Sequence, residues 1–439
     1  MKKNDLYKET KQSIVSYPGG ILSFVLVLLA SQSGQAQFIN DGIIKVDDKT
    51  ILSVYEPYIN KPSGGFTNDG IVYIFDNWNN DGDVLFSDKS DGQTIFNGKK
   101  VQKLEGRKIT NFQDVIFDSQ SDTLVSFRLN QIISVNRKAE FLTGIIVSNE
   151  DKNKESESRV IFNENAIHSD ASDLSFVDGK VEKIGNSMFE FPVGNDLFFR
   201  PAFHAKEGTG DGNIYTAQYF HQNSDNQYKH ASKEDSILLI NDKEYWNVTQ
   251  DEGADKIVLT LTLDSQTTPN EFLDVASGMK VVIVRWDTAS SKWIEEKGEV
   301  SEPIPNTSKD AGYSQLLTAQ VSGYGIFTMA LVKDTEVKDD VIVYNAVSPN
   351  GDGVNDTFLI EGIKDYPDNS VEIYNRWGVK VYDAKSYNES DVMFRGYSDG
   401  RVTVNRGEKL PTGTYFYILR YTKGEEGKEK SGYLYINNQ

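Results

Sequence analysis

Short apolar runs broken by turn residues cover most of the chain. In IVLTLTL, Val258, Thr260 and Thr262 alternate with Leu259, Leu261 and Leu263, the period-two pattern of a strand with one apolar face. VEIYNRWGVKVY (371–382) alternates Val371 and Ile373, then Val379 and Val381, with polar neighbours; Asn375-Arg376-Trp377-Gly378 supplies a hairpin turn. EYWNV (244–248), KVVIVRW (280–286), FTMALV (327–332), LPTGTYFYILRY (410–421) and SGYLYINN (431–438) read as further strands. In TYFYILRY the aromatics crowd both faces, as in a strand buried on one side and in contact on the other. The pattern predicts an all-β, multidomain protein.

A looser repeat fills the N-terminal third. Asn40-Asp41-Gly42 precedes IIKV, Asn68-Asp69-Gly70 precedes IVYIF, Asn80-Asp81-Gly82 precedes DVLF, and Asn97-Gly98 precedes KKVQKL. Asn and Gly tolerate positive φ, so each is a turn signal. DVIF (114–117), LVSFRL (124–129), QIISV (131–135) and FLTGIIV (141–147) continue the series. Short strands between recurring turns predict a β-solenoid or a β-sandwich over 37–148, with the solenoid favoured by the recurrence. A linker and β module follow over 149–235, opened by the charged run NEDKNKESES (149–158). An Ig-like β-sandwich is expected over 236–332, a linker over 333–340, and a C-terminal Ig-like β-sandwich over 341–439.

Residues 1–36 have the make-up of a signal peptide. Lys2, Lys3, Lys8 and Lys11 precede the apolar run Ile21 to Ala30, too short to span a bilayer, and Gly34-Gln35-Ala36 places cleavage between Ala36 and Gln37. No later stretch reads as a transmembrane segment, so the mature chain is expected to be soluble or held at a membrane by a partner. The chain has no Cys, which excludes disulfides and thiol chemistry. A formal net charge of −19 argues against nucleic acid and suits solubility and divalent cations.

The C-terminal motifs resemble a known family. SPNGDGVND (348–356), IYNRWG (373–378) and LPTGTYFY (410–417) are similar, in order and spacing, to the gliding-motility-associated C-terminal domain, the type B sorting domain of Bacteroidetes type IX secretion. The resemblance implies a cell-surface protein associated with the outer membrane. Its implied partners are the type IX translocon and an outer-membrane β-barrel protein of the PorP/SprF type; as an accessory subunit the chain would also sit beside a larger surface adhesin. The residues expected to carry sorting and docking are Tyr374, Arg376, Trp377, Gly378, Pro411, Gly413, Tyr415 and Tyr417. A second segment, GNSMFEFPVG (185–194) followed by Arg200-Pro201, resembles one found in many Bacteroidetes surface proteins and reads as a structural module.

Motifs for chemistry are sparse. His168, His204, His221 and His230 form no H-E-x-x-H or H-x-H zinc pattern, and no G-x-S-x-G elbow occurs. GQTIFNGKK (92–100) has five residues between its glycines and no Ser or Thr after Lys, so it is not a phosphate loop. The expectation is a protein without enzymatic activity, tied to adhesion or gliding or serving as an accessory subunit. The alternative is a secreted carbohydrate-binding protein or carbohydrate-active enzyme, with Trp246, Trp286 and Trp293 as an aromatic platform instead of core. No cofactor is expected beyond calcium. Asn350, Asp352, Asn355 and Asp356, on a loop with Gly351 and Gly353, offer hard oxygen ligands for Ca²⁺ or an Asx-turn network. Asp76, Asn79, Asp81 and Asp83 form a second such cluster, for which turn chemistry suffices. Asp122-Thr123-Leu124, Asp235-Ser236-Ile237 and Asp287-Thr288-Ala289 resemble the Bacteroidetes O-glycosylation acceptor, which would modify Thr123, Ser236 and Thr288 if they are exposed.

Overall fold

The Asn-Gly repeat winds into a parallel β-solenoid. The computed structural model describes residues 36–87, 90–148, 158–207, 212–301, 313–334, 341–353, 355–376, 378–388, 390–398, 407–424 and 426–438. The expected signal peptide up to residue 35, most of both expected linkers (149–157, 335–340) and Trp377 lie outside the described residues.

The first three rungs have three strands each. They are β1 (Phe38–Asn40), β2 (Ile43–Val46) and β3 (Ile51–Val54); β4 (Tyr58–Asn60), β5 (Gly65–Asn68) and β6 (Ile71–Ile74); β7 (Trp78–Asn80), β8 (Asp83–Leu85) and β9 (Gln93–Phe96). Later rungs have two faces: β10 (Gln102–Glu105) with β11 (Thr110–Asp118), and β12 (Val125–Asn130) with β13 (Ile132–Thr143). β14 (Ile145–Ser148) is joined by β15 (Arg159–Phe162) and β16 (Ile167–Ser169), and β17 (Val177–Asp178) by β18 (Lys180–Ile184). Every neighbouring pair in the stack is parallel, as in Phe38↔Tyr58↔Trp78.

The solenoid therefore runs past the expected boundary at residue 148. β15 re-enters the register of β13 at Ile132↔Arg159, and β18 follows it. The charged run hid this continuity, because it interrupts the apolar pattern without ending the stack. QIISV and FLTGIIV were also expected as separate strands. They belong largely to the single strand β13, and the chain breaks only at Gly144, where φ is +103°.

Buried asparagines explain the repeat. Asn40 Nδ2 donates to Asn60 Oδ1 at 2.9 Å, and Asn60 Nδ2 donates to Asn80 Oδ1 at 2.8 Å. Asn40, Asn68 and Asn80 also turn the chain by accepting the backbone N–H two residues on, from Gly42, Gly70 and Gly82. The glycines were expected to supply positive φ, but none of these three does. Gly70 and Gly82 are needed for clearance: a Cβ would overlap the carbonyls of Asp47 and Thr50, or of Lys61 and Gly64, in the rung before. Inside the coil, Tyr58 and Trp78 stack at 4.4 Å, and Phe66, Phe96, Phe117 and Phe127 fill the rest.

The solenoid sheet does not stop at β18. It continues antiparallel into β23 (Ile214–Phe220), whose preceding residues form β19 (Phe189–Phe191), β20 (Gly194–Asn195), β21 (Phe198–Phe199) and β22 (Ala202–Glu207). Next in the chain are β24 (Ile237–Ile240), β25 (Tyr245–Glu252), β26 (Lys256–Leu263), β27 (Met279–Asp287), β28 (Lys292–Lys297), β29 (Glu299–Ser301), β30 (Gln315–Gln320) and β31 (Gly325–Lys333). One sheet thus runs β18-β23-β25-β31-β27-β28, and a second, β19-β22-β26-β30-β29, faces it. The sandwich draws strands from before residue 236, so the expected division there falls inside it.

The GNSMFEFPVG segment has a structural task. Pro192 ends β19, the β20–β21 hairpin follows, and Arg200 is driven fully into the core. Its guanidinium donates to Thr267 Oγ1 at 2.8 Å and to Asp264 Oδ1 at 3.2 Å, and Trp246 Nε1 donates to its carbonyl at 2.9 Å.

The C-terminal unit comprises β32 (Ile342–Val343), β33 (Ala346–Val347), β34 (Ile360–Glu361), β35 (Asn369–Asn375), β36 (Lys380–Lys385), β37 (Gly413–Lys423) and β38 (Glu426–Ile436). A five-stranded sheet, β33-β38-β37-β35-β36, and the short pair β32-β34 enclose its own core, built on Phe358, Tyr387, Tyr417, Leu419 and Leu434.

Asn60 is fully buried between two rungs, so Asn60→Ala removes one amide from the ladder and leaves its neighbours short of partners. We expect a loss of about 1–3 kcal/mol, read as a lower urea midpoint of the solenoid. An unchanged midpoint would show the ladder to be dispensable.

Candidate functional site

The C-terminal domain offers two aromatic faces, and they have different destinations. On β37, Tyr415, Tyr417, Leu419 and Tyr421 point into the domain's own core. Phe416 and Ile418, on the other face, meet the sandwich together with Tyr374 of β35 and Gly432 of β38. Their seat is formed by Met188, Phe203, Val258, Thr260 and Thr318, leaving a crevice of about 10 Å³, room for one water at most. Phe203 lies 6.1 Å from the Tyr433 ring and 6.4 Å from that of Phe416; Phe416 and Tyr433 are 4.3 Å apart.

This seat explains a departure from the sequence pattern. The alternation in β26 predicts a single apolar face, yet Thr260 and Thr262 on the opposite face are buried as well. Thr260 pairs with Thr318 through their hydroxyls at 2.8 Å, and Thr262 donates to the Pro201 carbonyl at 3.0 Å. Two threonines that satisfy each other can lie beneath an apolar cover.

The expected docking residues are distributed as follows. Tyr415 and Tyr417 are buried, and the Tyr415 hydroxyl donates to the Pro411 carbonyl at 2.9 Å. Tyr374 is half-buried in the crevice. Gly378, at φ +71°, packs so closely on Met188 that a Cβ would overlap its backbone. Arg376 and Pro411 are exposed, and Gly413 opens β37. The tyrosine rings of this set are therefore not a free surface: alternation sends Tyr415 and Tyr417 into the domain core and Tyr374 towards the sandwich. Sequence reasoning missed the seat residues Met188, Phe203 and Thr318. The signal for them was the second aromatic row on β37, whose partner could not be named from the sequence.

Two ionisable groups lie near this contact and are pushed towards their neutral forms. Burial pushes the Glu190 carboxyl up to about 7, with Arg376 opposing the shift. Beside it, His168 Nε2 lies 2.8 Å from the Glu190 carbonyl, and burial holds the imidazole down at about 4. His204 lies in the core against Tyr215, His221 pairs with Asp196 at 3.2 Å, and His230 with Ser224 at 2.7 Å. The four histidines are thus dispersed.

The remaining candidates are surface features. Asp356 accepts the backbone N–H groups of Gly351 and Gly353 at 2.7 and 2.8 Å. Asn350 and Asp352 bond each other, and the Asn355 carbonyl accepts from Ser348 N–H at 2.6 Å. The four calcium candidates thus close their loop as an Asx network. Among the described residues no three His, Cys, Asp or Glu side chains gather as a metal group. In the second cluster, Asp81 pairs with Arg107 and Asp83 with Lys108. Thr123, Ser236 and Thr288 are all exposed, as are Ala36 and Gln37. Trp246 sits in the main core, and Trp293 in a satellite core against half-buried Trp286. The indoles form no exposed row.

Residues 341–436 match the family model described as CHU_C Type IX secretion signal domain. The protein is type IX secretion cargo. Its signal domain implies engagement with the secretion machinery and export across the outer membrane to the cell surface. No curated protein and no solved structure matches the chain. Among the described residues no helix is long and apolar enough to cross a membrane.

Two outcomes follow for this cargo. Phe416→Asp places a charge in the crevice without touching the signal domain's own core. The domain should separate from the sandwich, giving a larger radius of gyration by X-ray scattering; an unchanged scattering curve would mean that the seat does not hold it. The second concerns pH. Glu190 keeps its proton in the folded chain up to about 7, whereas an unfolded carboxyl loses it near 4.5. Its stabilising share is complete below the unfolded value and is lost as pH rises through 7. Glu190→Gln should therefore melt above the wild type at pH 8, with the gap narrowing towards pH 5.

Proposed function

We propose that this cargo is a non-enzymatic adhesion or gliding protein, or the accessory subunit of a larger adhesin, docked at the outer membrane through its C-terminal domain. The observation that carries the reading is the continuous sheet. Twelve strands follow one another from β28 through the sandwich to β3 at the far tip, with two more attached to its side. Neighbouring strands lie about 4.8 Å apart, so the six steps from β18 to β3 alone span about 29 Å. A rod of this kind holds its tip away from the end that is seated on the signal domain. The buried ionisable groups support the same reading. His204 and Lys183 are enclosed by packed strands instead of converging on a cleft, and Lys183 Nζ is held by the carbonyls of Asn163 and Glu164 at 2.5 and 2.6 Å.

By this reading the surface partners are a barrel protein of the PorP/SprF type and a larger adhesin. The test is a strain lacking the gene. It should lose most of its attachment to, or spreading over, a solid surface, and recover it with the full chain but not with a chain lacking 341–439. Tagged protein drawn from outer membranes should bring a barrel and a large adhesin with it. Normal attachment and spreading in the deletion strain would refute the role.

A further inference from the structure

One corner of the solenoid widens from rung to rung. In β11 a single residue, Gln113, separates the two faces, and in β13 two do, Asn136 and Arg137. The next rung uses four, Asn163 to Ala166, between Phe162 of β15 and Ile167 of β16. The extra residues make a bulge at each step, a device that re-aims side chains. The flare borders an open cleft of about 570 Å³, lined by these corner residues and Ile184, within the range of about 300–1,000 Å³ common for ligand sites.

The cleft is held rigidly. Lys183 is fully buried, and its ammonium donates to the carbonyls of Asn163 and Glu164 at 2.5 and 2.6 Å and of Ala166 at 3.4 Å. Ser187 Oγ donates to the Glu164 carbonyl at 3.2 Å. An ammonium in a core is unfavourable unless its donors are satisfied; here a surface turn satisfies them. With its carbonyls drawn inward, that turn leaves the Glu164 and Asn165 side chains exposed. Gly185, at φ +94°, passes so close to Glu164 that a Cβ would overlap its side chain. The neighbouring corner is fixed as firmly. Arg137 forks onto Asp114 at 2.7 and 2.5 Å and also meets Asp91, while Gln113 donates to the Ser90 carbonyl at 3.1 Å and accepts from Asn136 Nδ2 at 2.6 Å.

What remains open is polar and has no excess of positive charge. Among the described residues the Glu164 carboxylate, the Asn165 amide and Asn136 Oδ1 have no hydrogen-bond partner, and all three side chains are exposed. Arg137 already faces two carboxylates, so an anionic ligand would meet Glu164, Asp91 and Asp114 on a chain of net charge −19. One unpaired carboxylate is too few for a divalent cation. Hydroxyl groups, which donate and accept alike, match this set.

We infer that the flared corner is a binding site for a neutral saccharide, whose hydroxyls donate to Glu164 and Asn136 Oδ1 and pair both ways with the Asn165 amide. Glycosidases use two carboxyl groups, and Asp114 is committed to Arg137, so the cleft holds a sugar and does not cleave it. The rival surface is Tyr55, 69 % exposed, but one face of its ring is taken by Phe75 at 4.5 Å. The inference does not rest on the adhesion reading, because its test uses purified protein and no measure of cell attachment.

The chain from Gln37 onward should be titrated calorimetrically with short linear oligosaccharides of glucose, mannose, galactose and N-acetylglucosamine, and with oligogalacturonate. At least one neutral sugar should bind with a Kd below about 1 mM. Its affinity should change little between about 0.05 and 0.5 M salt, and oligogalacturonate should bind more weakly. Glu164→Ala and Asn165→Ala should each weaken binding about tenfold and melt as the wild type does, since neither side chain bonds within the described chain. Tyr55→Ala should bind as the wild type does. Failure of every neutral sugar at about 1 mM overturns the inference. So does tighter binding of the acidic sugar, undiminished binding by the Glu164 and Asn165 variants, or a loss confined to the Tyr55 variant.

Discussion

A parallel coil depends on register. Each rung satisfies its backbone only through the rung beside it, and a slip of one residue would turn every interior side chain outward. In this protein the Asn40–Asn60–Asn80 amide ladder fixes the register where the chain is shortest between corners. An amide can donate to one neighbour and accept from the other, so a column of asparagines is satisfied only in alignment. Aromatic stacking within the coil then adds burial to an arrangement the amides have already set. Once the asparagines give out, the rungs lose their third strand and a longer pair of faces takes over, as in β11 and β13.

The same sheet solves the usual problem of a solenoid end. Instead of a separate cap, β18 accepts an antiparallel strand, and the coil passes into a sandwich without a break in hydrogen bonding. The sandwich in turn needs cover for the threonine face of β26, and the signal domain supplies it through Phe416 and Tyr433. Passenger and signal are therefore joined by packed side chains as well as by the chain. Beside that joint, burial raises the Glu190 carboxyl, which ties the stability of this region to pH.

Much of this was legible in the sequence, and the failures share a cause. Period-two alternation gave the strands of the C-terminal domain and of the sandwich, because each has at least one face in a core. The recurring Asn-Gly turns gave the solenoid, although the reason was amide bonding and clearance instead of positive φ. What escaped was everything decided by long-range contact. The charged run after Ser148 concealed that β15 returns to the stack, since register between distant segments leaves no local mark. The tyrosines at 415 and 417 looked like a docking surface because sequence shows that a strand has two aromatic faces, but not what stands opposite each. The three tryptophans had the same ambiguity, and packing resolved it towards cores.

The two ends of the molecule are thus unequal in a way that bears on its role. At one end, Phe416 and Tyr433 are already occupied by the protein's own sandwich, while Arg376 of the motif is exposed. At the other, glycine clearance and exposed isoleucines persist where the described chain has nothing to place against them. Leaving a flat apolar edge uncovered exposes a secreted protein to aggregation.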